Sequence, residues 1–248
     1  MLKVLLIGAL FAVAGCSSDT NTSLIRTSPI HTSTATGTHT NTATVPESSV
    51  VVMPELPIPE LLVWPRSEPD VWPQTPDQAA VAFAAQIASG IAAAQPRPAI
   101  QVGSTATAEL PRIAEGGTPF GLASTIHLQQ VQLQDGSETW VVTHALSPDI
   151  VIRTPAAGHL LDANTVVIGE GRGFEGTIIL EIEDQDGLLG SAIADGGSLG
   201  ENEPFETPLP FTRNASGDWA NLVGFTTSAA DGSISALTML PMRLEDGS

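Results

Sequence analysis

From residue 148 to the end of the chain, short β-prone runs are cut by turn residues roughly every ten positions, a spacing that admits strands and little else. The runs are 150–153, 165–169, 177–183, 188–194, 205–211, 219–227 and 235–244. The turns between them include Asp186-Gly187, Asp195-Gly196-Gly197, Ser216-Gly217 and Asp231-Gly232. Seven short strands in about a hundred residues predict a β-sandwich with an immunoglobulin-like core.

The stretch 62–147 reads differently. Residues 76–94 carry a helix signature, with Thr75 as N-cap, Pro76 at the first helical position and Asp77 in the first turn. Ala80, Phe83, Ile87 and Ile91 recur at spacings of three and four and make one apolar stripe. Period-two segments follow at 99–109, 124–133 and 138–145, the last two joined by Gln134-Asp135-Gly136-Ser137, a hairpin signal. One helix and three or four antiparallel strands predict a small α+β domain. Ahead of them, residues 51–75 are extended and punctuated by prolines, with Val-Trp-Pro at both 63–65 and 71–73. Each proline keeps Trp64 and Trp72 out of helical backbone. Such rings either strap the segment onto its neighbour or form an exposed sticky site.

At the other end, Met1 and Lys3 precede an apolar run, Val4 to Val13, and then Val13-Ala14-Gly15-Cys16. The run is too short to cross a bilayer permanently and fits a cleaved leader. These residues resemble the lipobox of bacterial lipoprotein precursors. The resemblance implies a signal peptide at 1–15, a lipid (palmitate among its chains) on Cys16, and attachment at the extracytoplasmic face of the cell membrane. Cys16 is the sole cysteine, so no disulfide is expected and stability has to come from a hydrophobic core. Seventeen of the residues 17–50 are Ser or Thr, so 16–61 reads as a disordered tether. Loss of the leader removes Lys3 and takes the formal charge from −18 to −19, leaving eight arginines against 27 acidic residues. That field repels phosphate backbones and anionic headgroups, which argues against nucleic acid as partner and leaves the Cys16 lipid as the membrane attachment.

A second resemblance sits in the C-terminal strands. Residues 150–158 (Ile-Val-Ile-Arg-Thr-Pro155-Ala-Ala-Gly158) lead to Val166-Val167-Ile168-Gly169 and then Gly171-Arg172-Gly173-Phe174-Glu175-Gly176. The hairpin 181–187 and the late pair Trp219 and Phe225 complete the series. It is similar to the Gmad2 module, the immunoglobulin-like domain named for bacterial spore-germination proteins. The layout of lipobox, tether, helix-plus-strands domain and terminal sandwich (1–15, 16–61, 62–147, 148–248) also resembles actinobacterial lipoproteins. The resemblance implies an extracytoplasmic interaction module and carries over no catalytic residue.

Chemistry-bearing motifs are sparse. Gly171 to Gly176 fits G-x-G-x-x-G, yet strand-forming Thr177-Ile178-Ile179-Leu180 follows where a dinucleotide site needs a helix. The glycines read instead as close crossings between strands, with Phe174 in the core. An EF-hand register on Asp184 and Asp186 puts Ile182 and Ile193 at ligand positions 1 and 12 and fails. Glu181 and Glu183 read as the solvent face of their strand. No nucleophile elbow, H-E-x-x-H pair or P-loop is present, and His127, His144, Glu109 and Arg112 show no recognisable spacing. No cofactor, metal or enzymatic activity is therefore expected. The expected role is binding and positioning of an envelope protein or glycan, with Trp64, Trp72, Asn202, Glu203 and Phe205 as candidate contact residues. The alternatives are a small-ligand carrier with a pocket in the α+β domain and, third, a cell-envelope hydrolase.

Overall fold

The computed structural model describes residues 62–86, 95–113, 118–198, 200–213, 218–230, 232 and 234–244. The leader, Cys16, the tether, Ile87 and Ile91 lie outside them. Helix α1, Pro76–Gln86, starts as its sequence dictates: the Thr75 hydroxyl accepts from the Gln78 amide at 3.2 Å. Asp77 accepts from the Ala99 amide at 2.8 Å and so ties the helix start to the chain ahead of the first strand. Ala79, Ala80, Phe83 and Ala84 are buried against a sheet of β1 (Ile100–Val102), β2 (Thr105–Ile113), β3 (Pro119–Gln132) and β4 (Glu138–Leu146). The single run expected at 99–109 is in fact two strands, because Gly103 adopts φ 62° and turns the chain between Val102 and Thr105.

The C-terminal strands are β5 (Ile150–Thr154), β6 (Leu160–Leu161), β7 (Val166–Gly173), β8 (Thr177–Asp184), β9 (Gly187–Asp195), β10 (Gly197–Ser198), β11 (Glu203–Pro208), β12 (Trp219–Thr227) and β13 (Ile234–Leu244). Four of them, β13, β12, β8 and β9 in that order, form one wall of a sandwich; β7, flanked by β11, β5 and β10, forms the other. The fold is mostly β with an immunoglobulin-like C-terminal part, as the turn spacing predicts. The two halves share a sheet: β4 pairs with β13 at Ala145 and Met239, giving the order β1-β2-β3-β4-β13-β12-β8-β9. Both the sheet and the core under the helix therefore run across the 147/148 boundary. Leu237 and Met239 enter the core under the helix, while Ala236, Leu240, Met242 and Leu244 enter the sandwich core. A strand buried on both faces has to be a near-continuous apolar run, and Ile234–Leu244 (ISALTMLPMRL) is one.

Glycines of β7 permit close packing around that strand. A β-carbon on Gly169 would lie 2.5 Å from the Val151 carbonyl oxygen and 2.6 Å from the Phe205 ring, and one on Gly173 would lie 2.4 Å from the Thr177 oxygen. Gly169→Ala is therefore expected to cost about 1–3 kcal/mol, measured as a lowered urea midpoint with an unchanged m-value. The motif reading differs at one position. Phe174 is not in the core: it stands 45% exposed on a single 3-10 turn, Phe174–Gly176, whose Glu175 holds φ at 54°. The turn swings the side chain outward before β8 begins.

Candidate functional site

Residues 62–73 form a strap between the two halves. The Val63 and Trp64 amides both donate to the Val142 carbonyl, at 2.9 and 3.2 Å, and the Val142 amide donates to the Trp64 carbonyl at 2.9 Å. Further on, the Pro73 carbonyl accepts from the Trp140 amide and the Thr139 hydroxyl. Repeated prolines stop the strap from becoming a full strand. It reaches the sandwich wall through Asn221, whose amide donates to the Val63 carbonyl at 3.3 Å, and through an Arg66–Glu183 ion pair. Glu181, two residues along the same face, has its carboxyl pKa raised by burial first and by Glu183 second, with Arg66 opposing. Both glutamates are half-buried under the strap and not a solvent face.

A second junction centres on Asp149. Its buried carboxylate pairs with Arg112 of β2 and takes two hydrogen bonds from Arg172 of β7, from Nε at 3.0 Å and Nη2 at 2.8 Å. The Arg172 amide also donates to the Asp149 carbonyl at 2.9 Å, and its other guanidinium nitrogen donates to the Gly200 carbonyl. Asn202 closes the same corner by donating to the Pro148 carbonyl at 3.0 Å. One carboxylate thus pairs with an arginine from each half of the molecule. The family model for the immunoglobulin-like domain of bacterial spore germination, Gmad2, matches residues 149–233. The C-terminal part of the chain carries a Gmad2 domain. No curated protein and no solved structure matches the chain. Asp149 is the first residue of the Gmad2 stretch; Arg172 holds it from within that stretch, and Arg112 of β2 joins it to the sheet before.

On the open face of the N-terminal sheet, opposite α1, His127 of β3 and His144 of β4 stand directly across from each other. Their rings stack with centroids 4.2 Å apart and planes 16° from parallel. Thr107 of β2 opposes His127 from the other side; the charged groups registering on this face are Glu109, two residues on, and the Arg97 that pairs with it. Burial lowers the pKa of His127; burial and then the neighbouring His127 lower that of His144 to about 4. Both rings are thus neutral at pH 7. Because an unfolded histidine titrates near 6.5, the unfolded chain takes up protons first as pH falls. Stability should be flat above pH 6.5 and decline from there toward pH 4. With half-exposed rings screened by solvent, the loss should be about 1 kcal/mol. Urea titrations at pH 7 and 4.5 should show it in the wild type, with the difference reduced in His127→Gln/His144→Gln.

The structure distributes the expected contact residues unevenly. Trp64 is core, 3% exposed, with Nε1 donating to Gln86 at 2.7 Å; the strap carries its ring beneath the helix and removes it from the surface. Phe205 is core as well, 5% exposed, packed where Gly169 leaves space. Trp72 and Asn202 are half-buried and Glu203 is exposed. They are not one constellation, since the tryptophans belong to the strap and the other three to the sandwich. What sequence spacing missed is the histidine pair. The Asp135-Gly136 turn fixes a register that would oppose His127 to Thr143; a one-residue shift between His127 and Leu128 brings His144 there instead.

Proposed function

We propose that this chain is a lipid-anchored extracytoplasmic envelope protein that binds and positions a partner, an envelope protein or glycan, without turnover. The observation that carries the reading is the shared sheet: a Gmad2 domain is joined to a helix-covered layer through β4 and β13, and the joint is bound by Arg66–Glu183 and Arg112–Asp149. Rigid coupling of two layers suits a part that sets distance and orientation. The space between α1 and its sheet, where a carrier would hold its ligand, is occupied by Trp64, Phe83, Ile126, Trp140 and Met239, which also favours positioning. The lipobox at Cys16 supplies the anchor and the acidic surface supports solubility outside the membrane.

The test is a crosslinking pull-down of the native protein from its own envelope beside Cys16→Ala. A reproducible protein or glycan partner that is lost with the anchor is the expected result. Recovery of a small molecule with residues 62–147, and of no macromolecule, would replace this reading with that of a carrier.

A further inference from the structure

The stacked histidines have an arrangement beyond packing. The Thr143 hydroxyl has one proton and lies 3.3 Å from the His127 carbonyl and 3.1 Å from His144 Nδ1. Donating to the carbonyl, it accepts from His144, which fixes the proton on Nδ1 and leaves the Nε2 lone pair free. An imidazole oriented through its other nitrogen is the usual state of a metal-ligating histidine. Among the described residues no hydrogen bond engages either ring nitrogen of His127. Two neutral rings with free lone pairs therefore face each other on a half-open surface.

We propose that His127 and His144 chelate one divalent ion of the copper, nickel and zinc series, each through one ring nitrogen. Bonds of about 2.0–2.1 Å at a cis angle need nitrogens about 3 Å apart. Rings with centroids 4.2 Å apart and near-parallel planes reach that by unstacking, each tilting toward the other through its Cα–Cβ and Cβ–Cγ torsions together. No third His, Cys, Asp or Glu among the described residues joins the pair, so water completes the shell. Without an imposed cage the order of affinity is that of the metals themselves, Cu2+ first. The acidic surface raises the local concentration of cations.

The experiment titrates CuCl2 into the full chain carrying Cys16→Ser, which removes the competing thiol, at pH 7.4 by calorimetry and electron paramagnetic resonance. One ion per chain with two imidazole nitrogens in its spectrum is expected. His127→Gln or His144→Gln should weaken binding at least tenfold and Thr143→Val several-fold, while His31→Gln/His39→Gln leaves it intact. Loss of binding in His31→Gln/His39→Gln with none in His127→Gln would overturn the proposal, as would a spectrum with a single nitrogen. Should a histidine variant fail to fold, the chain with both histidines intact still decides: sub-stoichiometric Cu2+ must broaden the His127 and His144 ring resonances ahead of those of the other histidines.

Discussion

Asp149→Ala should lower the free energy of unfolding by about 3–5 kcal/mol, because it strips a buried carboxylate from two guanidinium groups and leaves the half-buried Arg112 without its charge partner. The Arg112 side chain is 22% exposed and its Nε already lacks a hydrogen bond, so little water can replace the lost carboxylate. Arg112→Ala should cost less, since Asp149 keeps both hydrogen bonds from the more exposed Arg172. Urea denaturation of the two single variants and the double variant measures the difference. A fully additive double variant would mean that the Arg112–Asp149 pair contributes no coupling.

Trp64→Ala should cost a similar amount, about 3–5 kcal/mol, from the cavity left by a fully packed indole. The lost Nε1 bond leaves the Gln86 amide without its partner from the strap. Trp72, half-buried on the same strap, is the control: Trp72→Ala should lose much less. Thermal midpoints of the two variants separate the readings of the Val-Trp-Pro repeats. Equal and small losses would show that the strap does not depend on the indole of Trp64 for its attachment.

The sandwich was legible because its signal is local. Turn dipeptides and alternating apolar residues specify strands without reference to partners, and β8, with Ile178, Leu180 and Ile182 fully buried and the intervening residues less so, shows the alternation directly. The start of α1 was legible for the same reason, since Thr75, Pro76 and Asp77 act within one turn. What escaped depends on distance along the chain or on one extra residue. Nothing about Arg112, Asp149 and Arg172 taken singly says that two halves of the molecule will bring them to one point. Trp64 and Phe205 carry no sign of which side of their segments will be covered. Trp64 is buried because the strap hydrogen-bonds to Val142, and Phe205 because Gly169 opposite it has no side chain. The histidine pair rests on a bulge, the kind of irregularity that hairpin turn rules do not anticipate.

The position of the strap has a mechanical consequence. Whatever tension reaches residue 62 from the chain ahead of it is delivered between β4 and β12, in the interior of the shared sheet, and not onto an outlying edge. A force applied at an edge opens hydrogen bonds one after another, like a zipper. Here the Val63 and Trp64 bonds to Val142, the Asn221 contact and the Arg66 ion pair are loaded as a group before any strand can peel.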